Sequence, residues 1–385
     1  MRRCGSGLFP RRRLGAGGTD RGGNRKLPPA VGRGLFPTPV GPVQRYRCPS
    51  CDQEIFFRNT VCLACGSQLL FDPDKGFSDL AEAGHPCVNR PQINCNWSAD
   101  EPGALCLSCR HTTVVPDLSV PANIDRWERI ETAKRPLILM LHRLGLPLAD
   151  RAGLPAPRFE LKGETGDATA PRVLTGHAGG TITLNIAEAD DAERERIRAE
   201  MNEPYRTLTG HLRHEVAHHY WDVLTDARPD RLDRLRAIFG DDRLDYGAAL
   251  QAHYAEGAPP GWAGSHISAY ATAHPWEDFA ETWAHVFHLL DGLETAQAFG
   301  LIAPQDLPEG LERLVREPMA RLAGAWVELT IALNAVNEAM GHETFYPFVL
   351  APPVVAKQEA IRSLIVEANP ADDAAAPPSA TALPQ

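Results

Sequence analysis

Eight of the nine cysteines in this 385-residue chain fall between Cys48 and Cys109, and their spacing limits what that stretch can become. Cys48-Pro-Ser-Cys51 and Cys62-Leu-Ala-Cys65 are two C-x2-C hooks ten residues apart, the layout in which each hook gives two thiolates to one tetrahedral Zn2+. Gly66, directly after the second hook, suits the tight turn that aims backbone N–H groups at sulfur. Two disulfides would call for an oxidising compartment, and no apolar secretory signal precedes the hooks; a redox C-x-x-C does not require a matched pair. A second set follows in Cys87, Cys95 and Cys106-Leu-Ser-Cys109. Its first half is irregular, so His85 is an alternative to Cys87, with four thiolates the simpler choice. Both sites are expected to be structural, because four protein ligands leave no position open for chemistry. A stretch so short of apolar runs depends on its metals to fold.

Charge divides the chain in the same place. Residues 1–47 carry eleven Lys/Arg and one acid, Asp20, leaving 28 bases against 48 acids in residues 48–385. The first segment is rich in Gly, Pro and Arg without helical or strand period, so it is expected to be disordered. Its composition also suits a transit peptide or a basic arm. The favoured reading is a start near Val40 or Val43, just before Cys48. Past that point the acidic balance, with Arg90 and Arg110 isolated between the hooks, argues against nucleic acid as a partner. No run approaches the ~18 apolar residues of a membrane span, and a cytoplasmic location is expected.

Residues 48–120 therefore read as zinc-ribbon modules, 121–368 as an α-rich α+β domain, and 369–385 as a disordered Ala/Pro/Asp tail. Helical spacing runs from Ile124 to Leu144 with a break or kink at Pro136, then from Asp190 to Met201, Tyr205 to Leu224, Arg231 to Phe239, Ala248 to Tyr254, Pro275 to Leu290, Glu309 to Leu333 and Lys357 to Ala368. Gly180–Ile186 reads as a strand, one that an extended peptide could pair with if it lies at a sheet edge. Thr175-Gly-His177 precedes it without an evident role.

Within the Tyr205–Leu224 helix stands His214-Glu215-Val-Ala-His218. Residues four apart share a helix face, so both imidazoles can reach one metal, with Glu215 beside them to take a proton from water. A third histidine at the position expected of H-E-x-x-H-x-x-G-x-x-H is excluded, since Trp221 and Leu224 stand where Gly and His are required. A carboxylate must complete the set. The best stretch is Pro275-Trp-Glu277-Asp278-Phe-Ala-Glu281-Thr-Trp-Ala-His285, in which Glu277, Glu281 and His285 share one face among Trp276, Phe279 and Trp283. Asp245 is a rival that misses the expected spacing. His253, His266, His274 and His288 are read as surface or packing residues, and His211, His219 and His285 as groups adjoining the site, His285 with a role near the transition state.

H-E-x-x-H followed by a helix bearing E-x-x-x-[DE] is similar to the gluzincin metallopeptidases. That resemblance implies Glu277 as third zinc ligand and Glu281 as the carboxylate that orients a ligand imidazole. Tyr270 resembles the active-site tyrosine of the lethal-factor type of gluzincin, which implies a phenol hydrogen-bonding the developing oxyanion. Taken together, CPSC, CLAC, CNW, CLSCR, TGH, EPYRTLTGHLRHEVAHHYWD and SAYATAHPWEDFAETWAH resemble a bacterial family of zinc-binding metallopeptidases with an N-terminal zinc ribbon, across residues 48–368. The expectation is a zincin-like domain holding one catalytic zinc, beside two structural zincs, acting on a peptide or protein. The alternative is a non-catalytic zinc-binding scaffold with a silent peptidase module.

Overall fold

A hook of two cysteines needs a rigid turn, and here each is set by short backbone ladders. The computed structural model describes residues 45–82, 84–164, 173, 175–200, 206–303 and 305–369. The disorder expected for the basic extension and the tail thus falls outside the described residues, except at 45–47 and 369. Tyr46–Arg47 pairs antiparallel with Glu54–Ile55, placing Cys48 and Cys51 on the connecting turn. The ribbon therefore begins before its first cysteine, with Tyr46 already buried. The residue after each hook is left-handed, Asp52 at φ 61° and Gly66 at φ 80°. Their N–H groups bond back to the carbonyls of Cys48 and Cys62 at 2.9 and 2.8 Å, a turn that Gly adopts freely and Asp tolerates.

The second half of the ribbon region is built from the hairpin Leu69–Asp72 with Gly76–Asp79 and the ladder His85–Pro86 with Ser98–Ala99. Phe71 and Trp97, both fully buried, meet at 5.5 Å between the two halves, with Tyr46, Phe57 and Phe77 edge-on to Phe71. Arg90, isolated in the sequence, donates to the carbonyls of Thr60 at 2.8 Å and Leu69 at 3.0 Å. It ties the second cysteine set to the first.

Pro121–Arg143 forms one helix that Pro136 does not break. Burial of Ile130, Leu137, Ile138 and Leu141 around the proline offsets the lost backbone hydrogen bond. Beside this helix the described residues form a four-stranded sheet in the order Thr112–Val114, Arg158–Lys162, Thr181–Asn185, Gly176–Ala178, parallel except for the last pair. Phe159, Leu161, Ile182 and Leu184 alternate into the core. The two edge strands, Thr112–Val114 and Gly176–Ala178, are three residues each and too short to show a sequence period. The hairpin joining the last two turns on Gly179 and Gly180, at φ 54° and 77°, the positive values a two-residue turn with matching twist requires.

The helix Leu208–Thr225 packs on the helix Pro275–Ala298, with Tyr220 stacked on Trp283 at 5.4 Å and Trp221 edge-on to Phe279 at 4.9 Å. The single helix expected over Glu309–Leu333 is two pieces, Leu311–Leu314 and Met319–Ala339. Pro318, with no N–H and a fixed φ, starts the second. Met319–Ala339 is long and apolar enough on average to cross a membrane, but it carries Arg321 and Glu328 and buries Met319, Leu322 and Trp326.

One apolar core runs from Tyr46 to Ile365, through the ribbon region and the helices alike. Thr112–Val114 leaves the last cysteine hook and enters the sheet directly. Its Thr112 hydroxyl donates to Glu131 at 2.5 Å, and Glu131 pairs with Lys134 at 2.9 Å, both fully buried. Removing one partner of such a pair strands a buried charge. Lys134→Met is therefore expected to cost about 3–5 kcal/mol in urea unfolding of the metal-loaded protein, with much of it recovered in the Glu131→Leu/Lys134→Met double variant.

Candidate metal centres

In the first ribbon Cys48 Sγ lies 3.7 Å from Cys65 Sγ, and Cys51 Sγ 3.7 Å from Cys62 Sγ. In the second set Cys95 Sγ is 3.7 Å from Cys106 Sγ and 3.8 Å from Cys109 Sγ. Each group of four, Cys48/Cys51/Cys62/Cys65 and Cys87/Cys95/Cys106/Cys109, keeps its sulfurs within 4.8 Å of one another. These separations far exceed a disulfide of about 2.05 Å. They match the ~3.8 Å edge of a tetrahedron with Zn–S near 2.3 Å. Cys87, and not His85, belongs to the second group. N–H groups of Cys106 and Cys109 donate to the sulfurs of Cys87 and Cys106 at 3.4 Å, and the Ser67 hydroxyl, with its backbone N–H, pulls the Cys65 thiol down to about 6. Within each group the thiols share charge unevenly, Cys65 and Cys95 lowered and Cys51 and Cys106 raised, and sulfurs that accept backbone N–H at this spacing fit Zn2+.

The third group is assembled by two helix starts. Thr207 caps the helix Leu208–Thr225, its hydroxyl accepting from Gly210 N–H at 3.0 Å. His274 caps Pro275–Ala298, its Nδ1 accepting from Trp276 N–H at 3.1 Å. The packing of these helices brings His214 Nε2 to 3.2 Å from His218 Nε2 and to 3.0 Å from Glu277 Oε2, with His218 Nε2 3.7 Å from Glu277 Oε1. His214 Nδ1 donates to Glu281 Oε1 at 2.7 Å, and Ser268 Oγ donates to Glu281 Oε2 at 2.7 Å. With Nδ1 carrying the proton, Nε2 of His214 presents a lone pair to two further electron-pair donors.

That convergence tests the fit of a metal. Glu277 is buried with Oε2 3.0 Å from His214 Nε2 and Oε1 3.7 Å from His218 Nε2, and electron-pair donors so close repel unless a proton or a metal cation lies between them. The spacing is close to the ~3.3 Å tetrahedral edge for Zn–N and Zn–O bonds near 2.0–2.1 Å. Electrostatics agree. Burial works against charge on His214, but Glu277 and Glu281 hold its imidazole well above the ordinary value. Burial keeps His218 neutral, down to about 4. The pocket thus favours positive charge beside its two carboxylates, His218 stays a neutral imidazole, and two imidazoles with one carboxylate are a donor set that fits zinc.

Glu215 faces a buried chain of its own. His211 Nε2 donates to Glu215 Oε1 at 3.1 Å, and His211 Nδ1 donates to Glu188, whose other oxygen accepts from the Thr175 hydroxyl. Burial opposes both charges, yet their pairing lowers Glu188 to about 2 and raises His211 to about 9. Thr175-Gly-His177 acquires a place here. Thr175 ends the chain on Glu188. His177 accepts from Gly180 N–H at 3.1 Å and lies over His218, ring centroids 6.3 Å apart.

Tyr270 is half-buried, its ring 6.1 Å from that of His214. His285 lies one turn beyond Glu281 and meets Tyr346 Oη at 2.7 Å, not a ligand residue. Asp245 stays outside the cluster and caps the helix Tyr246–Glu256, accepting from Ala248 N–H at 2.8 Å. The next residue, Tyr246, donates to Glu277 Oε1 at 2.7 Å. Tyr246, Glu188 and Ser268 are the residues that sequence reasoning passed over; none sits at a helical or strand interval from the motif it supports.

Residues 123–364 match the family model described as "Putative zinc-binding metallo-peptidase", and residues 45–120 match that of a zinc-ribbon domain. Uncharacterized proteins of Mycobacterium bovis and of two Mycobacterium tuberculosis strains are each 40% identical over 331 residues, covering 84% of this chain and 96% of the relative. No solved structure matches the chain.

The Glu188–His211 pair carries a pH signature. A raised His211 stabilises the fold fully below its unfolded value of 6.5 and loses this as pH rises through about 9; a lowered Glu188 contributes above 4.5 and loses this as pH falls through about 2. The melting-temperature deficit of His211→Gln is therefore expected to be largest between pH 4.5 and 6.5 and to shrink towards pH 9.

Proposed function

Because this chain belongs to that zinc-binding metallo-peptidase family, which its model covers over most of the length, we propose that it is a zinc-dependent peptidase of gluzincin type. The observation that carries the proposal is the meeting of His214, His218 and Glu277 beside Glu215 in one buried cluster. A zinc ion held there supplies Lewis acidity towards water and towards a peptide carbonyl. Glu215, with one oxygen engaged by His211, takes the proton of the attacking water on the other and passes it to the leaving amine. Tyr270 stays protonated, since burial raises its phenol, and donates to the carbonyl oxygen as negative charge develops. Glu281 fixes the tautomer and ring of His214.

Two further zincs in the cysteine sites are structural on this reading, and the ribbon region orients the substrate or a partner. The acidic balance of residues 48–385 favours a peptide, and a basic one, over nucleic acid. Eight thiolates kept for metal favour a reducing, cytoplasmic setting.

Glu215→Gln keeps the shape and removes the base. Its zinc content and melting temperature are expected to equal those of the parent while cleavage of a quenched peptide library falls at least about 100-fold; an unchanged rate overturns the assignment of Glu215. Metal analysis gives a second check. Three zincs per chain are expected, one of them lost in Glu277→Ala, whereas two zincs unaffected by that change would make the chain a metal-stapled scaffold.

A further inference from the structure

The helix Tyr246–Glu256 buries none of its side chains, and Tyr254 on it and Leu244 just before it are largely exposed. Apolar packing does not explain its place, yet its first residue reaches the metal cluster. The Tyr246 hydroxyl donates to Glu277 Oε1 at 2.7 Å, and its ring stands edge-on to His274 at 5.3 Å and Trp276 at 5.8 Å.

Glu277 needs such a partner. The terminal torsion of a glutamate is broad, so burial alone does not choose which oxygen faces the metal position. The two other ligands are already fixed. His214 is held by Glu281, itself anchored by Ser268, and His218 lies against Trp276 with ring centroids 4.0 Å apart. For Glu277 the restraint among the described residues that is not itself a ligand is the Tyr246 phenol, which donates to Oε1, 3.7 Å from His218 Nε2, and leaves Oε2 3.0 Å from His214 Nε2.

We propose that Tyr246 is the positioning residue of the third ligand, its phenol holding Glu277 in the rotamer that turns Oε2 towards the metal. The inference rests on the reading of His214, His218 and Glu277 as a metal site. It also accounts for the exposed helix, which carries the hydroxyl that sets metal affinity although no residue of it is a ligand.

Cobalt(II) titration of the full-length apoprotein against a competing chelator separates the sites. Thiolate sites give intense near-ultraviolet charge-transfer absorption, and a His/Glu site gives weak visible bands. Tyr246→Phe is expected to weaken Co2+ binding at the His/Glu site about 10–100-fold, with the thiolate bands and the melting temperature of the apoprotein unchanged. Asp245→Asn, which removes the neighbouring charge and retains a side-chain oxygen for the cap, is expected to bind within about twofold of the parent. Parental affinity in Tyr246→Phe overturns the inference alone, as does an equal loss in Asp245→Asn, which would place the effect on charge near the helix start. A parent chain that shows thiolate bands and no third equivalent overturns the metal-site reading and this inference with it.

Discussion

The distance between two packed helices governs this molecule. Leu208–Thr225 supplies two imidazoles from one face, and Pro275–Ala298 supplies carboxylates from its first two turns. Leu212, Val216, Ala217 and Tyr220 on one side and Phe279, Ala280 and Trp283 on the other lock the two together with almost no exposed surface. That apolar seam holds three electron-pair donors at a spacing they would not choose. A cation would resolve the repulsion, and Glu281 behind His214 would deepen the well in which it sat.

The same economy of charge extends to the second cysteine site. Its sulfurs are buried, and Cys109 Sγ lies 4.0 Å from Glu131 Oε2. Negative charge accumulates there. Lys134 pairs with Glu131, and for buried Arg135 the thiolate of Cys95 and the carboxylate of Glu131 outweigh the penalty of burial and raise its pKa. His111, two residues past Cys109, hydrogen-bonds the Pro157 carbonyl at 2.8 Å ahead of the strand Arg158–Lys162. The ribbon region and the helical domain consequently share hydrogen bonds, a sheet and a core, and a metal in one would be part of the packing of the other.

Legibility in the sequence followed the range of the interaction. The hooks were readable because a C-x2-C turn is local, and His214 with His218 because a helix brings residues four apart onto one face. Glu277 and Glu281 followed the same rule within their own helix, but nothing local joins that helix to the first. The strand Thr112–Val114 escaped because three residues make no period, Arg158–Lys162 alternates over five residues and was passed over all the same, and Pro136 misled because buried packing outweighed one lost hydrogen bond.

By itself the sequence determined which side chains could act as ligands and on which local turn or helix face each would stand, since those are consequences of backbone geometry over four residues. Only the tertiary structure decided how each ligand is held. Glu188 meets His211 across 23 positions, Tyr246 meets Glu277 across 31, and Glu281 meets His214 across 67. Such partners depend on where separate elements are carried by core packing. A hydrogen bond of about 3 Å has no periodic trace in the order of residues.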